Sequence, residues 1–210
     1  MKGIVFDAEA NGLYPDKFYC VCNDQGESLT DYNDMRNFLL SAEVLIGHNI
    51  SRWDIPNLER VLGIKVKAKL IDTLALSWYL EPDRIKHGLE EYGEDFGIPK
   101  PVIGDWESLT QEEYVHRCEE DVRINSELWR RQWAALLKLY GSDQAAMKLV
   151  EYLSFKMMCA SQQEANGWKL DIERARNVRD KLAVERDSKL VELTYAMPKV
   201  PIYARKIRPA

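Results

Sequence analysis

Apolar residues fall in short runs over the first third of the chain and at helical spacing over most of the rest. Residues 3–8 are a short apolar run that ends in acids and read as a strand. Residues 18–24 and 27–29 read as two further strands, joined by a turn at Asp24-Gln25-Gly26, and the three form an antiparallel meander. A short helix follows over 33–41, with Asp31 or Asn33 as its cap. Residues 43–47 are a buried strand that ends at Gly47 and His48. Residues 53–62 are helical, with Pro56 in the first turn, where a missing N–H is tolerated. A strand over 70–72 leads into a helix through Leu80, and a loop spans 82–86.

Helical periodicity then takes over. A helix over 88–96 ends at Gly97, and 99–106 is an irregular loop with two prolines and a glycine. Thr110 precedes Gln111, Glu112 and Glu113, the pattern of an N-cap with acids in the first turn. The helix it opens runs to about Tyr140. Gly141-Ser142-Asp143 punctuates, a helical region spans 144–166, and a charged helix over 171–197 precedes a basic tail over 198–210. Strands early and helices late predict an α/β fold with a mixed sheet flanked by helices. The chain divides into 1–145, which holds the candidate chemistry, and a charged helical extension over 146–210.

Composition narrows the class without naming a function. A hydrophobic fraction of 46% and a charged fraction of 30% are those of a soluble globular protein. No apolar run reaches the length of a membrane span, and the N-terminus lacks a signal-peptide pattern. Cys20, Cys22, Cys118 and Cys159 lack zinc-ligand spacing and read as reduced thiols of a cytoplasmic protein. A net charge of −5 argues against a broad nucleic-acid surface. It leaves room for a narrow cleft where metal ions supply the positive charge.

The candidate chemistry begins at Asp7-Ala8-Glu9. Side chains i and i+2 on a strand share a face, so both carboxylates leave one face at one height. Uncompensated, they repel and raise each other's pKa. A divalent cation removes that cost, and hard oxygen ligands suit Mg²⁺ or Mn²⁺. The same residues also read as a solvated acidic turn. His48-Asn49-Ile50-Ser51-Arg52-Trp53-Asp54 follows a buried strand and starts a helix, which a capping role also explains. Asp121 sits among Cys118, Val122, Asn125 and Leu128 at helical spacing. An acid beside an apolar stripe needs a partner, and a metal is one.

Taken in order, Asp7-x-Glu9, His48-Asn49-x4-Asp54 and His116-x4-Asp121 resemble the three motifs of the DEDD superfamily of 3′→5′ exonucleases, which share a ribonuclease H-like fold. Asp7-Ala8-Glu9-Ala10-Asn11-Gly12-Leu13, Ile71-Asp72-Thr73-Leu74 and His87-Gly88-Leu89-Glu90-Glu91-Tyr92-Gly93 look like the proofreading domains of phage family A DNA polymerases. Gln163-Glu164-x-Asn166-Gly167-Trp168-x-Leu170-Asp171 resembles the segment that opens the polymerase portion of those enzymes. No palm or fingers sequence is present, so the chain reads as an excised exonuclease fragment or a natural stand-alone relative.

The resemblance implies Asp7, Glu9, Asp54 and Asp121 as ligands of two divalent cations, Mg²⁺ with Mn²⁺ able to substitute. It also implies a general base, either Tyr in Y-x3-D or His in H-x4-D. The Y-x3-D position here is Arg117, which cannot accept a proton at neutral pH. His116 fits H-x4-D instead. On an uninterrupted helix His116 and Asp121 lie about 140° apart, so His116 serves only from a loop or a distorted turn, and Tyr114 or a site without a base are the alternatives. Leu13 is a wedge against the last base or ordinary core, and Asn49 contacts the terminal sugar or phosphate or caps a helix. Asp72 supports the metal ligands or, the favoured reading, caps the next helix. His48 reads as a structural hydrogen-bonder, and Trp53, Trp78, Trp129 and Trp133 read as core. Lys199, Arg205, Lys206 and Arg208 form a solvated tail or a phosphate-contacting strip.

The resulting expectation is a monomeric, metal-dependent 3′→5′ exonuclease that releases 5′-mononucleotides from single-stranded DNA 3′ ends. It would proofread for a DNA polymerase module in cis or in trans, in the host cytoplasm if phage-encoded, without membrane association. The rival readings are a ribonuclease D-like enzyme acting on RNA and a catalytically silent nucleic-acid-binding or scaffold module.

Overall fold

In the computed structural model, which describes residues 3–98, 100 and 109–197, β1 (Ile4–Ala10), β2 (Phe18–Asn23) and β3 (Ser28–Leu29) form the expected meander. Helix α1 (Tyr32–Ser41) leads to β4 (Val44–Gly47), α2 (Asp54–Leu62) to β5 (Lys69–Asp72), and α3 (Thr73–Leu80) and α4 (Leu89–Phe96) follow. Then come α5 (Gln111–Tyr140) and α6 (Asp143–Asn166). The sheet order is β3-β2-β1-β4-β5, antiparallel across β1–β2–β3 and parallel across β1–β4–β5. This is the mixed sheet with flanking helices of a ribonuclease H-like fold.

Alternation along β1 sorts its side chains between two cores. Phe6 and Ala8 pack with Val21, Met35, Leu39 and Leu58 under α1 and α2. Val5 faces the other way, with Cys20, Cys22, Tyr114, Cys118 and Val122 under α5. Asp7 and Glu9 share parity with Val5, so the strand period sends both acids toward α5. That helix opens on a full capping box: Thr110 accepts from the Glu113 N–H, and Glu113 Oε2 accepts from the Thr110 N–H at 2.7 Å. It runs unbroken for 30 residues to Gly141 in the left-handed conformation.

Helix α4 packs on α5 through Leu89, Tyr92, Ile124 and Leu128. Helix α6 packs against β5 and α3, burying Ala146, Val150, Ser154 and Met157, and Ser154 Oγ donates to the Leu70 carbonyl at 2.8 Å. The compact unit therefore includes α6 and extends through Asn166, past residue 145. The second unit begins at Gly167. Its described part is α7 (Ile172–Ala196), capped by Asp171 accepting from the Arg174 N–H, with no buried residue along it.

Several expectations need revision. Strand β1 continues to Ala10, so Glu9 lies within it. Trp78 is not core: it is 44% exposed on the outer side of α3, edge-on to His87 at 6.4 Å. The apolar positions of α3 run all round the helix, so spacing alone does not say which one faces out. The predicted loop over 99–106, apart from Lys100, and the basic tail over 198–210 lie outside the described residues. Among the described residues, no helix is long and apolar enough to cross a membrane.

Gly93 supplies a test of the α4–α5 contact. A Cβ there would meet the Ile98 carbonyl oxygen at 2.5 Å and Ile124 Cδ1 at 2.9 Å. Gly93→Ala is expected to destabilise the fold by about 1–3 kcal/mol through overpacking. A lower urea midpoint at unchanged slope checks it. An unchanged midpoint removes the close approach from the account.

Candidate metal centre

Asp7 and Glu9 leave β1 on the α5 side, and Asp121 comes down from α5 to meet them. One carboxylate oxygen from each of the three lies within 4.8 Å of the others. Asp121 is 5% exposed. Asp54, the first residue of α2, is 4% exposed and lies near enough to push the Asp7 carboxyl upward. Three of the four acids named in the sequence therefore meet at one place, and Asp54 lies buried at the start of α2 within reach of their charge.

Their ionisation reflects crowding. Burial raises Asp7 well above its ordinary range, and the negative charges of Asp121, Asp54 and Glu9 add to it. Burial also raises Asp54, followed by the charge of Asp72. Glu9 is pushed by burial from about 4.5 to about 7, with Arg117 pulling the other way. Asp121 is raised by burial against the pull of Lys100.

Two cations offset part of this charge. Lys100 Nζ lies 2.6 Å from Asp121 Oδ1, and Arg117 Nε lies 3.0 Å from Glu9 Oε1. Neither pairing is evident from the motifs in the sequence. Arg117 carries a partial signal, since a residue four before Asp121 shares its helix face. Lys100 carries no such signal, because it lies outside any periodic element.

The turn before Asp54 is held from beneath. Asp72 caps α3, accepting from the Leu74 and Ala75 N–H groups at 3.1 and 3.4 Å. The same carboxylate also accepts from the N–H groups of Asn49 at 3.1 Å and Ser51 at 3.2 Å. Asn49 has a φ of 65°, a left-handed conformation that asparagine tolerates better than most residues. Its Oδ1 is buried without a hydrogen-bond partner among the described residues. Its side chain does not cap α2, whose N-cap is Trp53 without a side-chain bond. His48 has the structural role expected of it, with Nδ1 3.0 Å from Thr73 Oγ1 and Nε2 2.8 Å from the His87 carbonyl.

His116 is not brought to the acids. Helix α5 is regular from Gln111, so neither a loop nor a distorted turn carries His116 round, and its side chain is exposed. Tyr114 is buried and stacked on Tyr19 at 3.9 Å. Leu13 is 78% exposed beyond the end of β1, which rules out a core role, and its carbonyl accepts from Trp53 Nε1 at 3.1 Å.

The donor set fits a hard divalent cation. Four carboxylates offer oxygen ligands, and Asp54 Oδ1 is buried with no hydrogen-bond partner among the described residues. An unsatisfied buried carboxylate oxygen is costly, and a cation relieves that cost.

No family model matches this sequence, and no curated protein matches it. Solved structures do. A nuclease in its apo form aligns with a TM-score of 0.54 and 19% identity, over 81% of this chain and 88% of that one. NrnC of Brucella melitensis aligns at 0.52 and 20%, over 80% and 88%. The same protein bound to pGG aligns at 0.53 and 19%, over 80% and 88%. At these identities the likeness shows a shared fold.

Two expectations follow. Asp72→Ala leaves up to four backbone N–H groups without their acceptor and should cost about 2–4 kcal/mol, read as a fall in the denaturation midpoint. A loss well under 1 kcal/mol contradicts the double role. The second concerns pH. Between about 4.5 and 7, folded metal-free protein keeps a proton on Glu9 that the unfolded chain has released. Stability should therefore fall as pH rises through this window, by up to about 3 kcal/mol from Glu9 alone. The other three acids shift in the same direction. Melting in chelator from pH 5 to 8 should show the fall, and Mg²⁺ or Mn²⁺ should reverse it most at pH 8. A metal-free midpoint that rises with pH contradicts the crowding.

Proposed function

We propose that this chain is a metal-dependent 3′→5′ exonuclease that releases 5′-mononucleotides from single-stranded DNA 3′ ends, proofreading for a DNA polymerase in cis or in trans. The observation that carries the reading is the convergence of Asp7, Glu9 and Asp121 within 4.8 Å, with Asp54 buried nearby. A solvated acidic surface does not explain acids held at such proximity against burial. The fold shared with NrnC, seen bound to pGG, supports a nucleotide end as the ligand.

In this reading Asp7, Glu9, Asp54 and Asp121 hold two divalent cations, Mg²⁺ with Mn²⁺ as substitute. Bound cations supply activation of water and stabilisation of the leaving oxygen. Lys100 and Arg117 leave the four carboxylates a residual charge of −2, which matches one divalent cation. The incoming phosphodiester brings further negative charge to accompany a second. Asn49 Oδ1, an acceptor without a partner among the described residues, takes a hydroxyl of the terminal sugar. Leu13 lies against the last base. His116 removes the proton from the attacking water, which requires the first turns of α5 to open and bring the imidazole round to Asp121.

The test uses 5′-labelled single-stranded DNA and RNA of one sequence. Wild type with Mg²⁺ should give a ladder on DNA that shortens from the 3′ end and stops with chelator. Asp7→Ala and Asp121→Ala should each lose at least about 100-fold, since even the partners of metal ligands are worth up to that much. His116→Ala should lose about 10²–10⁴-fold; an unchanged rate assigns the proton to another group. Faster loss of RNA overturns the DNA assignment. Intact DNA and RNA under both Mg²⁺ and Mn²⁺ overturn the enzyme.

A further inference from the structure

Three buried thiols stand behind the acids and take no part in the function proposed above. Cys20 and Cys22 lie two residues apart on β2, and in the β1–β2 register they sit opposite Glu9 and Asp7. Cys118 reaches the same layer from α5. All three are 0% exposed, and their sulfur atoms lie within 4.8 Å of one another. Cys118 Sγ is also 3.9 Å from Asp7 Oδ2. A buried cysteine is by itself a small apolar side chain. Three sulfurs meeting at one point, with a carboxylate oxygen beside one of them, Cys118, are a set of donors.

Their spacing suits a thiophilic ion. Zinc–thiolate bonds of about 2.3 Å put the sulfurs of a tetrahedral site roughly 3.8 Å apart and a carboxylate oxygen roughly 3.5 Å from each. The thiols here need to close by at most about 1 Å to reach that geometry. Three thiolates and one carboxylate around Zn²⁺ carry the same net charge as a four-thiolate zinc site. Sequence spacing hides the set, since Cys118 is remote from Cys20 and Cys22 in the chain.

We propose that Cys20, Cys22 and Cys118 form a site for a thiophilic divalent cation such as Zn²⁺, with Asp7 as fourth ligand. Ligand softness separates it from the acid cluster, because thiolates select zinc or cadmium and carboxylates select magnesium or manganese. Asp7 belongs to both donor sets. An ion on the thiols draws Asp7 Oδ2 away from the acids, so occupancy inhibits the enzyme. That inhibition rests on the exonuclease reading; the binding does not.

The probe is Cd²⁺ added to the reduced, metal-free Cys159→Ala protein, which lacks the one exposed cysteine. The ultraviolet sulfur-to-cadmium charge-transfer band should saturate at one ion per chain, persist in excess Mg²⁺ and accompany a rise in melting temperature. Cys22→Ala and Cys118→Ala in that background, with folding checked by circular dichroism, should weaken binding at least tenfold. ¹¹³Cd resonance of the Cys159→Ala protein reads the donor atoms without touching the core, and a sulfur-rich shift is expected. No band at stoichiometric Cd²⁺, or a shift typical of oxygen ligands, overturns the site. Because no readout involves nucleic acid, a failed nuclease assay leaves this test intact.

Discussion

Burial of four carboxylates in one partly dry pocket, aggravated by their mutual charge, is the constraint on which the rest of the structure depends. Each acid alone would stay in water. Here Asp7 and Glu9 are fixed by the period of β1, Asp121 by a continuous helix and Asp54 by the turn after β4. The cost appears as upward shifts at all four carboxyls, with burial the largest cause at each. Lys100 and Arg117 offset part of it at three of the four, Asp7, Glu9 and Asp121, and pair directly with the last two.

The topology explains why the cost falls at this edge of the sheet. Strands β1 and β4 are parallel neighbours, so their carboxyl ends open on the same edge. In open parallel sheets that edge is where ligand loops gather. Strand β5 ends there too, and its last residue, Asp72, ties down the turn between β4 and α2. Helix α5 then closes the pocket, anchored by Val122 and Cys118 in one core and by Ile124 and Leu128 against α4.

How much of this was legible in the sequence depends on whether each contact is local. The strand period of Asp7 and Glu9, the capping box at Thr110 and the cap at Asp72 are decided within a few residues, and the sequence shows them. The meeting of Asp54 and Asp121 with β1 is not local. It became readable only because the motifs stand in a recognised order. The Lys100–Asp121 pair and the thiol trio need the register of β2 on β1 and the descent of α5 onto both, which no spacing encodes. Trp78 misled because the helix carrying it is apolar all round. His116 is the opposite case. Its distance round the helix from Asp121 was readable from the period, and the regular course of α5 leaves it there.

Arg117 ties these observations together. It occupies the helix position one turn before Asp121, and it pairs with Glu9. A guanidinium does not give up its proton at neutral pH, so this position cannot collect one from water. It supplies instead a fixed positive charge in a pocket that lacks it. A tyrosine there would leave Glu9 without that counterion and would raise its carboxyl further, since Arg117 is the first influence opposing burial. The metal-free fold thus gains a counterion for Glu9 from Arg117. A site stabilised by its own cation depends less on bound metal to stay folded, and the proposed hydrolysis calls for a proton acceptor outside the helix face that bears Asp121.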